Sequence, residues 1–316
     1  MNDKLAPKLL FALKLALFAL LAWFVVNRLF VQNDFKAQWG LFTANIGGHW
    51  YLLATAVLLM PLNWLLETSK WQILLKTATP FKTLLKSVVA GITIGFVTPG
   101  RTGEFIGRTL FMETDGRTKV FYLSSIGGFA QTAASLLVGT PFVYLWHNNP
   151  RLSALCAGFA AIYSLVFFRF DLLNRLIARI PLLHRYGLLF DNAHLPDIST
   201  QVSVLLLSAL RFMVYLSQYI LLLSFFGISA SFFTLATHSV VYLLAQTFSP
   251  LMPALDISFR AGTALYVFGG ITTNNLAVLS AITGVWLLNL VIPALAGYWF
   301  ILRHTGFKYL YGKTGF

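Results

Sequence analysis

The chain has 316 residues, of which 58% are hydrophobic and only 10% are charged, and its mean hydropathy is +0.74. Soluble domains carry about 25% charged residues, so this composition argues against a soluble domain and indicates a membrane protein. The formal net charge is +13, but the basic residues lie in short stretches between apolar runs, where they set topology and contact anionic headgroups. We therefore expect an anionic membrane lipid as the partner and expect no nucleic acid.

Apolar runs near the ~20-residue length that crosses a bilayer recur along the chain. Eight such segments are, in chain order, 9–30, 47–66, 84–112, 120–146, 152–168, 202–226, 232–271 and 276–302. The first is too long for the apolar core of a signal peptide and has no small-residue cleavage site after it, so we interpret it as a membrane span.

Two of the segments are broken near their centres. The sequence FVTPGRTGE interrupts 84–112, and FSPLMPALDISFR interrupts 232–271. Irregular backbone at membrane depth is tolerated only where protein or water surrounds it. Each broken segment is therefore either two complete crossings or a re-entrant hairpin that enters and leaves on one side.

The positions of the basic residues favour hairpins. With two hairpins, six full spans and an inside N-terminus, fifteen Lys and Arg lie in inside loops, and only Arg28, Lys36 and Arg151 lie outside. If only the first break crossed fully, the Arg-rich stretch 169–185 would fall outside. Two full crossings at each break preserve the flanking topology and stay open. The prediction is an all-α, multi-pass protein of a bacterial-type cytoplasmic (inner) membrane, with both termini cytoplasmic.

The two broken segments align with each other at an offset of 152 residues. Glu104 then matches Asp256, and Arg108 matches Arg260. Three predicted spans lie between the hairpins, so the second would enter from the opposite face, as in the inverted repeats of transporters. We predict a single integral membrane domain, 1–316, with repeat halves centred on 81–112 and 233–268.

Each broken segment carries an acid followed four residues later by Arg, the spacing of one helical turn. An ionisable group inside a bilayer is costly unless it is paired or wetted. One interpretation is that Glu104–Arg108 and Asp256–Arg260 only neutralise themselves and fix the hairpin tips. The other is that water reaches the tips and that Arg101, Arg108 and Arg260 bind a phosphate, which suits the planar donors of guanidinium.

The first break has the composition of a tight bend. Thr98, Pro99, Gly100 and Gly103 are expected to form the turn, and Glu104 is expected to cap the helix that follows. Free backbone N–H groups at the start of that helix predict an anion site.

A second polar group lies in the segment before the break. Asn63, Glu67, Lys70 and Trp71 share one helical face. They either guard an inner entrance to a cavity or form a local ion pair at a helix end. Arg211 is isolated in an apolar run, and we expect it to contact a buried acid or line the cavity.

Nothing in the sequence predicts ordinary catalysis. HExxH and GxSxG motifs are absent, the six His are scattered, and Cys156 is the only cysteine. We therefore expect no catalytic residues, no metal site, no cofactor and no enzymatic activity.

Three stretches together resemble a known family. They are NW…E…KW…LLK at 63–76, TPGRTGEFIGR at 98–108, and the Pro-rich break with its acid and Arg at 249–260. They look like the transmembrane region of lysylphosphatidylglycerol synthases and their stand-alone flippase-like relatives. The resemblance implies an inverted-repeat membrane core that moves lipid between leaflets. By position, Pro99, Gly100, Gly103, Glu104 and Arg108 match the first family signature.

Two departures from the family pattern limit what the resemblance implies. An aminoacyl-transferase domain is absent, so we expect no synthesis of lysyl-lipid by this chain alone. Many relatives have a glycine-rich turn and a Glu at the second break, whereas this chain has PALDISFR there. This difference puts an equivalent second site in doubt. We predict a lipid flippase-like protein with an anionic phospholipid at a midplane groove. The alternatives are a membrane-embedded transferase acting on a lipid phosphate and a non-transporting scaffold for a partner lipid-modifying enzyme.

Overall fold

The computed structural model describes residues 35–112, 117–170, 195–248, 253 and 256–303. Within these ranges the regular structure is entirely helical, as predicted. The helices are α1 (Phe35–Leu75), α2 (Phe81–Phe96), α3 (Glu104–Thr109), α4 (Arg117–His147), α5 (Pro150–Phe168), α6 (Ile198–Phe225), α7 (Phe232–Thr247), α8 (Ile257–Phe268), α9 (Asn275–Trp286) and α10 (Ile292–Arg303).

Five stretches of the described helices are long and apolar enough to cross a membrane. They are Trp39–Leu75, Lys119–His147, Pro150–Phe168, Ile198–Phe225 and Asn275–Arg303. Each overlaps one of the predicted spans, which confirms a multi-pass membrane protein. The predicted span 9–30 lies outside the described residues.

The outward faces of these helices are apolar, as lipid contact requires. Leu155 on α5 is 73% exposed and Leu58 on α1 is 71% exposed. In contrast, polar and charged side chains such as Lys70 and Gln218 are buried in the interior. Exposed apolar side chains together with buried polar side chains indicate that the protein has a polar interior and an outer surface that contacts hydrocarbon.

Helix α1 is longer than the predicted span 47–66. Its 41 residues correspond to about 61 Å, roughly twice the thickness of the hydrocarbon core. The backbone departs from helical geometry at His49, and Phe42, before this kink, packs on Phe225 with ring centroids 5.8 Å apart. The predicted bounds were too short because hydropathy marks only the lipid-embedded part of the helix. The C-terminal end of α1 continues beyond that part into the protein interior.

The first broken segment forms a pair of packed helices, neither of which is long enough to cross. Helix α2 has 16 residues, or about 24 Å, and α3 has six, or about 9 Å. Their backbones touch, because a Cβ on Gly107 would lie 2.4 Å from the carbonyl oxygen of Ala90. This geometry favours a hairpin over two complete crossings.

A contact between distant loops agrees with that topology. Lys76, just after α1, donates a hydrogen bond of 2.5 Å to Asp197, just before α6. The end of α1 and the start of α6 therefore lie on the same side of the protein. The end of α5 lies there too, because Gln201 near the start of α6 donates to the Phe167 carbonyl at 3.3 Å. With α4 and α5 as two successive spans, the start of α4 lies on the same side, and both ends of the first broken segment lie there as well.

The second broken segment has a first helix of the same length as that of the first segment, but its second helix is longer. Helix α7 has 16 residues and α8 has 12, and at the offset of 152 the bounds of α2 and α7 differ by one residue. Helix α2 packs on α10, where Thr93 donates to the Ala294 carbonyl at 2.9 Å, and α7 packs on α4. Each first helix of a broken pair therefore packs on a helix from the other half of the chain. The inversion of the two halves stays a prediction.

Candidate functional site

A half-open cavity of about 680 Å³ lies where the two broken segments meet α1, α4, α6 and α9. Its charged lining residues are Glu67, Lys70, Arg101, Glu104, Arg108, Arg211, Asp256 and Arg260. Arg108 from the first break and Arg260 from the second therefore face one shared space, as the sequence interpretation requires.

Glu67 is the centre of a buried ion cluster at this cavity. One carboxylate oxygen accepts from Arg108 at 2.6 Å, and the other pairs with Lys70 at 2.7 Å and with the guanidinium of Arg211. Glu67 is 6% exposed, Lys70 1% and Arg108 4%. One carboxylate thus binds three cations that come from α1, α3 and α6.

Neighbouring side chains fix the orientation of these cations. Arg211 donates to Asn63 at 2.7 Å and to Gln131 at 3.2 Å, and Lys70 donates to the Gly127 carbonyl at 3.2 Å. Such second contacts limit the rotamers of the cationic side chains and hold the cluster in one geometry.

Arg108 is also held by an aromatic ring. Its guanidinium carbon lies 4.8 Å from the ring centroid of the buried Trp71. A cation over an indole face is a favourable contact, so Arg108 is positioned by Trp71 on one side and by Glu67 on another.

A chain of buried amides extends from the ion cluster into the other half. Asn63 donates to Asn289 at 3.0 Å, Asn289 donates to Gln218 at 2.8 Å, and Gln218 donates to the Ala56 carbonyl at 2.9 Å. Asn289 lies in a π-helical turn, Leu287–Val291, between α9 and α10. Such turns are frequent at functional sites, and this one connects α9 and α10 to the charged cluster.

The tip of the first hairpin is shaped by its glycines and threonine. Gly100 has φ +55° and Arg101 has φ +59°, which is the left-handed region. Gly103 has an ordinary φ of −73°, but a Cβ there would lie 2.7 Å from Ile94. Gly100 thus supplies the turn after Pro99 of a short 3-10 helix (Pro99–Arg101), whereas Gly103 permits close packing.

One expectation for this tip was wrong, and another stays a prediction. Glu104 is the first residue of α3 and makes no capping hydrogen bond; its carboxylate pairs with Arg101 instead. The Gly103 N–H is not free, because it donates to the Thr98 hydroxyl at 2.8 Å. The anion site predicted at the start of α3 stays a prediction.

The two acid–Arg pairs also differ from each other. Arg260 donates to Asp256 at 2.9 Å, as the spacing predicts. Arg108 lies 3.6 Å from Glu104, further than its 2.6 Å contact with Glu67. The principal partner of Arg108 is therefore an acid 41 residues away, which helical spacing cannot indicate.

The predicted site residues fall into two groups. Those that line the cavity are Gly100, Arg101, Glu104, Arg108, Asp256, Arg260, Glu67 and Lys70. Pro99, Gly103 and Asn63 are not among the residues that line the cavity. The entrance proposed at Asn63, Glu67 and Lys70 has to be corrected. All three residues are buried and belong to the interior network.

Several guanidinium nitrogens have no hydrogen-bond partner among the described residues. These are Nε and Nη1 of Arg108 and Nε of Arg260. The side chain of Gln246, on α7 beside the same cavity, is also without a partner in the described part of the chain. Buried donors of this kind normally have an acceptor, so the arrangement is suited to receiving an anion.

The chain matches one known family. The family model described as the lysylphosphatidylglycerol synthase TM region matches residues 11–297, which include both broken segments and every charged residue of the cavity. No curated protein and no solved structure matches the chain.

Proposed function

We propose, because the chain belongs to the family of lysylphosphatidylglycerol synthase TM regions, that it binds an anionic phospholipid in the central cavity and carries it between the two leaflets. Membership in that family is consistent with a lipid-related function in a membrane. The bound group is the lipid phosphate, and no bond is made or broken.

The observation that carries this proposal is the shared cavity lined by guanidinium groups from both broken segments. Arg presents a planar set of donors that matches phosphate oxygens, and it stays charged in a low-dielectric site. A phosphate that bridges Arg108 and Arg260 would join the two halves of the chain. Binding and the relative position of the halves are thereby coupled.

Internal acids hold the cations when the cavity contains no lipid. Glu67 pairs with Arg108, Glu104 with Arg101, and Asp256 with Arg260. An incoming phosphate competes with these carboxylates and does not have to enter beside bare charges. Because each ion pair can be exchanged for a phosphate contact, binding and release avoid the large cost of an unpaired buried cation.

The lipid tails remain in the bilayer while the headgroup occupies the cavity. The outward helix faces are apolar, so a lipid can keep its acyl chains in hydrocarbon throughout. Rocking of the two repeat halves then changes which leaflet the cavity faces. We place the protein in a bacterial-type cytoplasmic membrane with both termini inside, because the inside loops hold most of the basic residues.

A leaflet-exchange assay tests the proposal. The full-length protein is reconstituted in vesicles that contain a fluorescent anionic phospholipid, and a membrane-impermeant quencher reports the outer-leaflet fraction over time. We expect rapid exchange with the wild type, and exchange near the protein-free rate with Arg108→Ala and Arg260→Ala. Arg151→Ala, at an exposed position on α5, is the matched control and keeps the wild-type rate.

Arg260→Lys protects the test against misfolding, because it retains the charge but loses the planar donor geometry. Exchange at the wild-type rate in Arg108→Ala, Arg260→Ala and Arg260→Lys would contradict the proposal. Headgroup turnover that is lost in Glu104→Gln would identify a transferase instead. Absence of exchange together with co-purification of a lipid-modifying enzyme would identify a scaffold.

A further inference from the structure

The charges that line the cavity do not balance. Among the described lining residues, cationic side chains outnumber carboxylates by two. The cations are Lys70, Arg101, Arg108, Arg211 and Arg260, and the carboxylates are Glu67, Glu104 and Asp256. The sequence between Phe248 and Asp256 contains no ionisable side chain. The second break therefore contributes one acid and one cation, and among the described lining residues the excess comes from α1, α6 and the first break.

Three of the five cations lie where water is scarce. Lys70 and Arg108 are almost completely buried, and Arg211 is nearly so. A net charge in such surroundings is costly unless an opposite charge is brought close to it. A ligand with two negative charges cancels the excess, whereas a ligand with one negative charge leaves one cation uncompensated.

The unpaired hydrogen-bond donors of the two Arg side chains also favour a ligand with two negative charges. Arg108 has two buried nitrogens, and Arg260 one, without a partner among the described residues. A terminal phosphate offers three strong acceptor oxygens, one more than the two non-bridging oxygens of a phosphodiester. The third oxygen gives a further acceptor to the donors contributed by the two breaks.

We infer that the cavity prefers a lipid whose phosphate is a terminal, dianionic monoester over a lipid with a monoanionic phosphodiester. This inference rests on the proposed function, since it specifies the headgroup for the same site. The shared chemistry is a phosphate ester with two negative charges. Phosphatidate and polyprenyl phosphate present it on a lipid, and small phosphate monoesters present it in water.

A matched pair of lipids tests the preference. Phosphatidate and phosphatidylmethanol with the same short tails differ only in the methyl group that blocks the terminal phosphate. Each is titrated by thermophoresis into the full-length protein in neutral detergent micelles. At about pH 8 the monoester is dianionic, because its second pKa is about 6. We expect phosphatidate to bind roughly tenfold or more tightly than phosphatidylmethanol, the effect of one additional charge-assisted contact.

Binding of the same two lipids at acidic pH provides an internal check on the role of the second charge. At about pH 5 the monoester has lost its second charge, so the two lipids are expected to bind equally. Phosphatidylmethanol has no second ionisation, and its affinity therefore reports any titration of the protein itself. A preference for phosphatidate that persists unchanged at about pH 5 would overturn the role of the second charge.

The preference is also tested by changing the protein, with a substitution that lowers the positive charge excess of the cavity by one. Arg101 has a side chain that is 40% exposed at the hairpin tip, so Arg101→Gln is expected to fold. The preference for phosphatidate should fall toward parity in Arg101→Gln and should stay unchanged in the surface control Arg151→Gln. A preference of wild-type size in Arg101→Gln contradicts the charge argument.

The remaining outcomes separate the inference from the proposed function. Equal affinity for both lipids at about pH 8, with both weakened by Arg260→Lys, overturns the dianion preference and leaves lipid binding intact. Failure of the wild type to bind either lipid overturns both. Inorganic phosphate that competes with phosphatidate at similar concentrations supports the dianion site but identifies a water-soluble ligand, which contradicts lipid transport.

Discussion

Replacement of Glu67 by Gln is expected to destabilise the protein strongly while improving its binding of anionic lipid. Gln has the same shape but no charge, so Lys70, Arg108 and Arg211 lose the carboxylate that they share. The cavity excess of positive charge also rises by one. The two effects act on different observables, and this makes the variant informative.

The size of the expected destabilisation follows from the burial of Glu67 and its partners. Removal of one partner of a buried ion pair costs about 3–5 kcal/mol, because the remaining charge is left without compensation. Glu104→Gln is the matched control, since the Glu104 side chain is 24% exposed against 8% for Glu67, and partly exposed pairs contribute up to about 1 kcal/mol. At roughly 2–4 °C for each kcal/mol, the melting temperature of Glu67→Gln should fall by roughly 6–20 °C.

Thermal unfolding of the detergent-solubilised protein, followed by tryptophan fluorescence, measures this effect with and without an anionic lipid. The lipid should raise the melting temperature of Glu67→Gln more than that of the wild type, because its phosphate replaces the missing negative charge. The reasoning is refuted if Glu67→Gln is as stable as Glu104→Gln, or if lipid stabilises Glu67→Gln no more than the wild type.

Three other changes test the surroundings of the site. Gly107→Ala should destabilise by about 1–3 kcal/mol, because its Cβ meets the α2 backbone, whereas Gly262→Ala adds a Cβ in open space and should be neutral or slightly stabilising in parallel melts. Asn289→Leu should cost about 1–3 kcal/mol through the buried amides that it leaves unpaired, and an unchanged melting temperature would contradict the amide chain. Hydrogen bonds from Lys76 and Thr200 hold the pKa of Asp197 below its usual range, so its stabilisation is present above about pH 4 and lost in stronger acid. Asp197→Asn should therefore melt below the wild type at neutral pH and approach it as acid is added.

The features that the sequence predicted correctly are local ones. Hydropathy located the long spans because about 20 apolar residues are needed to cross hydrocarbon. Pro together with charge marked the two breaks, since a charged side chain is costly in a continuous lipid-facing helix. The Asp256–Arg260 pair was predictable because residues four apart are neighbours on one helix.

The core of the site could not be predicted because its contacts join distant parts of the chain. Glu67 pairs with Arg108 and with Arg211, which are 41 and 144 residues away, and Asn63 bonds Asn289 at a separation of 226 residues. These pairings follow from the packing of α1 on α6 and on the first hairpin. The isolated charge of Arg211 in an apolar run was the one available signal, and the expectation that it meets a buried acid is confirmed.

The same limit explains the entrance assigned to Glu67 and Lys70. Helical spacing showed that they share a face, but it gave no information about what covers that face. Packing of α4 and α6 on α1 buries them, and the charges that resembled an interfacial ion pair belong to the buried ion cluster that lines the cavity.

The most direct test of the shared cavity is photo-crosslinking with a phospholipid that carries a small photoreactive group next to its phosphate. After irradiation of the reconstituted protein, digestion and mass spectrometry locate the attached label. We expect label on peptides from both breaks, around Arg108 and around Arg260, and less label when unlabelled anionic lipid competes. Label confined to outward apolar surfaces such as that of α5, with none on either break, would contradict the binding of lipid phosphate between the two halves.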